Sequence, residues 1–393
     1  MRLIFRLTEN NRYSFIPLFH AIYRYNPKID FEIFEGSIED LKLGVGSIVF
    51  YSFTTMEVGT VLRELKHIRR NYPGTLVVAG GCHVSALPNW SIELGFDAVV
   101  VGEGELVFES ILKDLSEGGL KRRIYFGRRP DSIDYSFIGS PYVAPIEIVR
   151  GCPYGCKFCQ VSYLFGRKER YRSLDSVINE AKILVERGRR FVRFIAPNAL
   201  SYYSIGKVPN IGVLRDLFIR LRDVGIEKIY FGSFPSEIRP DYVNEESVKL
   251  LREFVSNRNV VIGVQSASDE LLVRLNRGHD VASVLRAVEL FNSYDFEVTL
   301  DFLFGLPEER DDDLKVTLGF MERILNSYNV KIRAHYYMPL PMTPYGKLEP
   351  RELPKWFTAS IADLAKSGRV KGYWHRQREE GRKVWEMIKG FLG

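Results

Sequence analysis

The sequence predicts an α/β protein: an N-terminal doubly wound, Rossmann-like parallel sheet, then a partial (βα)6 barrel, then a short helical, basic extension. Three observations predict it. Short apolar runs alternate with amphipathic stretches along most of the chain, as parallel strands covered by helices do. A stretch rich in Gly, Pro and charge, residues 118–143, divides that alternation into two series. The 393 residues, 46% of them apolar, are enough to build two cores.

The first series occupies residues 1–117. Its predicted strands are Arg2–Leu7, Phe31–Phe34, Ser47–Phe53, Thr75–Ala79 and Asp97–Val101, with the clearest helices over Thr55–Arg70 and Glu105–Leu115. Ligands of such sheets sit at the carboxyl ends of the strands. Those ends carry Ser52, Thr54 and Thr55, then Gly80-Gly81-Cys82-His83, then Gly102-Glu103-Gly104-Glu105. Small and hydroxyl residues there let a large ligand approach the backbone; tight turns alone would use the same glycines. His83 reads either as a proton donor or as a satisfied core histidine, and Cys82 as a small apolar residue.

Residues 118–143 read as a linker, with a short hairpin around Arg123–Phe126. The second series, residues 144–344, has strand signals at Ile146–Arg150, Val192–Ala196, Lys228–Gly232, Val260–Gln265, Glu297–Phe304 and Lys331–Met338. Helices are predicted over Ser173–Arg187, Gly212–Val224, Glu245–Val255, Val281–Ser293 and Asp311–Leu325. Six strands are too few for a closed eightfold barrel, so an open barrel with its site at the C-terminal strand ends follows. Residues 345–393 turn Pro-rich, then helical and basic.

No run of eighteen apolar residues marks a transmembrane segment, and the first residues do not form a secretory signal, so the chain reads as cytoplasmic. The net charge of +6 is concentrated in Lys121-Arg122-Arg123 with Arg128-Arg129, in Arg187–Arg193 and in the C-terminal tail. These are solvated surface, or they attract an anionic partner such as RNA, phospholipid or a phosphorylated substrate.

The four cysteines carry the chemistry. Three lie in Gly151-Cys152-Pro153-Tyr154-Gly155-Cys156-Lys157-Phe158-Cys159, directly after the first barrel strand. Three thiolates in one short loop can ligate three irons of a cubane and leave the fourth open to a small molecule. Structural zinc needs a fourth ligand, and no second Cys or His pair follows. Three unliganded cysteines at this spacing are the remaining alternative.

Cys-x3-Cys-x2-Cys with an aromatic residue before the last cysteine resembles the radical S-adenosylmethionine (SAM) superfamily. Further segments resemble its subgroup with methylthiotransferases and cobalamin-dependent members. They are Val261–Ser266 with Asn276-Arg277-Gly278-His279, Asp301–Glu309, and Met338–Pro344. The resemblance covers about residues 144–344. It implies a [4Fe–4S] cluster on Cys152, Cys156 and Cys159, and chelation of the open iron by SAM. It also implies one-electron cleavage of SAM to methionine and a 5′-deoxyadenosyl radical, oxygen sensitivity, and an electron donor of flavodoxin or ferredoxin type. Phe158 is expected to flank the adenine and Gln265 to border SAM. Many relatives carry Gly-Gly-Glu after strand two to hold the SAM amino group; this chain has Ala196-Pro197-Asn198, so the Asn198 carbonyl is the acceptor expected there. Glu237 and Arg239 suit the ribose hydroxyls and the SAM carboxylate, with a surface ion pair as the alternative.

The N-terminal series resembles the cobalamin-binding domain that precedes many radical SAM domains, through Gly80-Gly81-x-His83, Pro88, Gly95-Phe96-Asp97 and Gly102-Glu103-Gly104-Glu105. The resemblance implies cobalamin held by Ser52, Thr54, Thr55, Gly80, Gly81, His83, Glu103 and Gly104. Leu7-Thr8-Glu9-Asn10-Asn11 replaces the Asp-x-His-x-x-Gly of carriers with a histidine lower ligand, so no histidine ligand is expected. Together these resemblances imply cobalamin-dependent methyl transfer to an unactivated carbon. Radical cyclisation, rearrangement or carbon–carbon coupling on a lipid, tetrapyrrole or metabolite is the alternative, as is a non-enzymatic cluster or cobalamin carrier. Methylthiolation of tRNA requires a second cluster on three more cysteines, and only Cys82 lies outside the loop. The ensemble also resembles an uncharacterised archaeal subgroup of cobalamin-domain radical SAM proteins.

Overall fold

A computed structural model describes residues 2–391. Six parallel strands form the N-terminal sheet: β1 (Arg2–Arg6), β2 (Phe31–Phe34), β3 (Ser47–Ser52), β4 (Leu76–Gly80), β5 (Ala98–Val101) and β6 (Ile124–Phe126). Their order is β2-β1-β3-β4-β5-β6. Order reverses between β1 and β3, and that reversal opens a crevice at their carboxyl ends. Successive β1 side chains enter opposite cores, Leu3 and Phe5 one and Ile4 the other. Phe5 is the centre of an aromatic cluster, with Phe15, Phe19, Phe31 and Phe50 rings 5.0–5.6 Å away.

The expected hairpin at Arg123–Phe126 does not form. Val99, Val100 and Val101 of β5 pair in parallel with Ile124, Tyr125 and Phe126. Tyr125 is buried against the same core as Phe5, and its hydroxyl donates to Asp114 at 2.7 Å. That burial binds the first part of the expected linker into the sheet.

The predicted first barrel strand splits at Ile148. β7 (Ile146–Glu147) pairs in parallel with β10 (Phe191–Ile195), while β8 (Val149–Arg150) pairs antiparallel with β9 (Arg170–Tyr171). β11 (Lys228–Tyr230) continues the first arc. The second arc is β12 (Asn259–Gln265), β13 (Glu297–Phe304), β14 (Val330–Tyr336) and β15 (Val370–Lys371), all parallel. One bridge, Ile238 to Ile262, joins the arcs. The barrel is therefore open, and β15 extends it by a strand contributed by the C-terminal extension.

That extension also carries helices Lys355–Ala365 and Trp374–Ile388. Gln377 accepts from the Tyr336 amide at 3.0 Å, and Met387 packs on the N-terminal core. The last helix thus contacts both units. Among the described residues no helix is long and apolar enough to cross a membrane.

Candidate active site

The cysteine loop leaves β8 through Gly151, whose φ of +93° suits glycine. A methyl group there would meet the Lys168 carbonyl at 2.4 Å. The Cys152 amide donates to Gly166 at 3.1 Å, and Ser162 bridges the loop by accepting from the Gly155 amide and donating to the Cys152 carbonyl. Asn276 donates to the Tyr154 carbonyl, and Gln160 to the Pro341 carbonyl. The loop is thus tied to its own return, to the segment after β12 and to the end of the barrel.

Cys156 is buried and Cys152 and Cys159 are partly so. Burial pushes the Cys159 thiol up to about 11 and raises Cys152 as well. Thiolates there need positive charge, which bound iron would supply. Among the described residues no three His, Cys, Asp or Glu side chains surround a single point. Cubane ligands sit on separate irons and need not converge in that way.

A ring of buried polar atoms without partners adjoins the loop: Asn198 Nδ2, Arg239 Nη1, Gln265 Oε1, Arg277 Nε and both ring nitrogens of His279. Such atoms cost stability unless a ligand or water meets them. The residues carrying them are mutually linked. Arg239 donates from its amide to Asn198 Oδ1 at 3.1 Å and from Nη2 to the Arg277 carbonyl at 2.7 Å. Arg277 donates to the Gly263 carbonyl at 2.7 Å and lies 3.8 Å from Cys156 Sγ. Gln265 has φ +68° beside a register shift in β12, a backbone turn that places its side chain at the strand end. A polar ligand with donors and acceptors fits this ring, as SAM would.

Several expected roles change. Asn198 Oδ1 accepts from the Arg239 amide, and the atom left without a partner is the donor Nδ2, which suits a carboxylate. Arg239 is paired with Asp241 at 3.1 Å and stacks on Tyr154 at 3.3 Å; it is buried, not a surface pair. Glu237 meets Arg333 at 2.9 Å, and Arg333 also binds Asp301, at 2.6 Å through Nε. Leu300 and Phe302 face the core, so Asp301 between them faces the lumen. Burial, then Asp301, push Glu237 up to about 7. Phe158 packs beside Leu271, Leu275, Leu306, Tyr337 and Tyr345. Arg277 and His279 were missed as individual site residues, although the Asn276–His279 segment was itself a signal.

A cavity of about 370 Å³ lies between the two units. Ser52, Thr54, Gly80, Gly81, Glu103 and Gly104 line it from the N-terminal strand ends, with Phe50, Phe53 and Phe108; Arg150, Phe165 and Ile195 line it from the barrel. Aromatic walls and backbone-lined strand ends fit a large, mostly apolar ring system with polar substituents, which is the chemistry of cobalamin.

Thr55 and His83 do not line this cavity. His83 is fully buried between Phe53 and Trp90, with Nδ1 3.1 Å from Thr55 Oγ1, and burial lowers it to about 4. It is a neutral core histidine. Glu103 reaches the cavity wall, but its carboxylate is occupied. It accepts from Arg150 at 2.7 Å and from Arg170 at 2.9 and 2.6 Å. Arg150 also binds Glu105 at 2.6 Å and Glu147 at 2.9 and 2.7 Å. This buried network joins the end of β5 to the residue preceding Gly151. Its members lie in three separate segments, Glu103–Glu105, Glu147–Arg150 and Arg170, and no pattern in the sequence links them.

Glu309, in the turn after β13, is buried and accepts from the Gly305 amide at 2.8 Å; burial pushes it up to about 8. Its folded pKa exceeds the unfolded value, so its contribution is intact below about 4.5 and is lost as pH rises to about 8. Glu309→Gln, which keeps the acceptor, is expected to raise the unfolding free energy at pH 8.5, read from urea titration, by up to about a few kcal/mol. It should leave the midpoint at pH 5 nearly unchanged. Equal effects at both pH values would rule out this titration.

Comparison with known proteins agrees with this geometry. Residues 146–321 match the Radical SAM superfamily model, and residues 23–112 match the B12 binding domain model. An uncharacterized protein of Methanopyrus kandleri is 27% identical over 86% of this chain and 76% of its own length. A tRNA-2-methylthio-N(6)-dimethylallyladenosine synthase of Ruegeria is 28% identical over 80% of this chain; the chain spans 64% of that protein. The radical SAM methyltransferase TsrM of Kitasatospora setae, solved with cobalamin and a [4Fe-4S] cluster bound, superposes with a TM-score of 0.69 at 16% identity. That superposition covers 98% of this chain and 99% of TsrM, and it shows a shared fold.

Proposed function

Because this chain joins a B12-binding domain to a radical SAM domain, we propose that it is a cobalamin-dependent radical SAM methyltransferase acting on an unactivated carbon. One observation carries the reading: the strand ends of both units line one cavity, and Arg150 in its wall directly precedes the cysteine loop. When bound, the cluster supplies an electron, SAM the deoxyadenosyl and methyl groups, and cobalamin the methyl carrier.

The chain's own residues hold and orient these groups. Cys152, Cys156 and Cys159 hold the cluster. Arg239 and the Asn198 amide offer donors to the SAM carboxylate, Gln265 Oε1 offers an acceptor, and Phe158 gives an apolar face to the adenine. Arg277 places its guanidinium beside Cys156 Sγ, where it would face the negative charge of a bound cluster and its sulfurs. Ser52, Thr54, Gly80, Gly81 and Gly104 present hydroxyl and backbone groups to cobalamin. Glu237, near 7 and beside Arg333, can hold or release a proton in the lumen. Methylthiolation, the activity in the Ruegeria protein's name, is disfavoured because this chain has one cysteine outside the loop.

The test is anaerobic reconstitution with iron, sulfide and hydroxocobalamin, followed by gel filtration and addition of SAM with a small reductant. Retained cobalamin absorbance and release of methionine are expected. Cluster-dependent cleavage without retained cobalamin would move the reading to cobalamin-free radical chemistry. Absence of both would overturn it.

A further inference from the structure

We propose that the outer surface of the cysteine loop, built by Arg128, Arg129, Arg167 and Lys168, is the docking surface of an acidic electron-carrier protein. The proposal rests on the radical SAM reading, which requires that one electron reach the loop from outside: the carrier is oxidised by one electron and the cluster reduced by one.

The surroundings of the loop leave this side open. The Lys157 carbonyl and the buried Gln160 side chain are tied to the end of the barrel, through the Tyr345 amide and the Pro341 carbonyl, and the Lys157 ammonium is paired with Glu308. The base of the loop is closed by Arg150 bonded to Glu103. Arg128, Arg129, Arg167 and Lys168 are exposed. Two of them lie on the loop itself. A methyl group on Gly155, between Cys152 and Cys156, would come within 2.7 Å of the Arg167 guanidinium; one on Gly166 would come within 2.8 Å of Arg129.

These cations are not neutralised locally. Among the described residues none of the four forms an ion pair, and Arg129 donates only to the carbonyls of Tyr163 and Leu164, at 3.5 and 3.3 Å. The acids in the same segments are Asp131 and Glu169, and Glu169 accepts from the Tyr171 hydroxyl at 3.1 Å. By contrast, Lys121, in the segment leading into β6, is paired with Glu117 and Asp114. Unpaired, exposed charge of one sign steers and orients an oppositely charged protein more than it contributes affinity. Transient electron-transfer encounters need only a small interface. Four cations beside a buried redox loop meet both needs for an acidic carrier.

The experiment measures SAM cleavage by the reconstituted full chain, driven either by an acidic flavodoxin or by photoreduced deazaflavin. Arg128→Glu with Lys168→Glu is compared with Arg122→Glu and Arg123→Glu at the opposite end of β6, which change net charge equally. The first pair is expected to raise the half-saturating flavodoxin concentration by about tenfold or more and to leave the deazaflavin-driven rate unchanged. The remote pair should do neither. Equal effects of the two pairs, or none, overturn the docking proposal alone. Loss of tRNA binding specifically in the first pair would reassign the surface to nucleic acid and overturn it as well. No cleavage by the unaltered chain with deazaflavin overturns the radical SAM reading, and the proposal with it.

Discussion

Replacing Arg150 with methionine is expected to destabilise the protein by about 3–5 kcal/mol. The side chain is buried, at 6% exposure, and meets Glu103, Glu105 and Glu147 at 2.6–2.7 Å. Removing one guanidinium leaves Glu103 its pair with Arg170 and Glu147 the nearby charge of Arg172, while Glu105 keeps no ion-pair partner among the described residues. Breaking a buried pair costs far more than the pair is worth, because the charge left behind is desolvated and unpaired. The sign of the pH dependence follows. Arg150 holds Glu147 below the usual carboxylate range against the opposing effect of burial. In the unaltered chain this contribution is present above about 4.5 and is lost as pH falls through the lower folded value. The Arg150→Met chain should lose that acid-side dependence and become less stable as pH rises. Urea unfolding from pH 4 to pH 8 measures both. A midpoint shift worth less than about 1 kcal/mol would show that the network does not hold the two units together.

The second large effect is expected at the loop. Cys156→Ala should remove the cluster's broad visible absorbance, lower bound iron from about four per chain, and abolish reductive SAM cleavage. Gly151→Ala should do the same without removing a ligand, because its φ of +93° and the Lys168 carbonyl at 2.4 Å leave no room for a methyl group. Cobalamin retention separates this from unfolding, since the cavity is walled mainly by other segments. A Cys156→Ala chain that kept its iron and its cleavage rate would refute the assignment of the cluster.

Much of this was legible in the sequence because it is written in local patterns. Apolar alternation placed β1–β5 and the main barrel strands, and close spacing placed the three thiols on one loop. The short elements were not legible. β6 and β15 span three and two residues, and their strand character comes from neighbours far along the chain. Val161–Phe165 and Asp269–Arg274 are helices of five and six residues, too short for a periodic signal.

Sequence by itself determined the two α/β units, the cysteine loop and the strand ends around the cavity, because each depends on residues adjacent along the chain. Only the tertiary structure decided which polar groups remain free for ligands. Glu103 is expected at cobalamin and has its carboxylate engaged by Arg150 and Arg170, His83 reads from the sequence as a proton donor or a core histidine and is buried away from the cavity, and Asn198 Oδ1 accepts from the Arg239 amide, leaving the donor Nδ2 without a partner. A side chain's type fixes how many hydrogen bonds it can make; which of them are already made depends on partners brought from distant segments by packing.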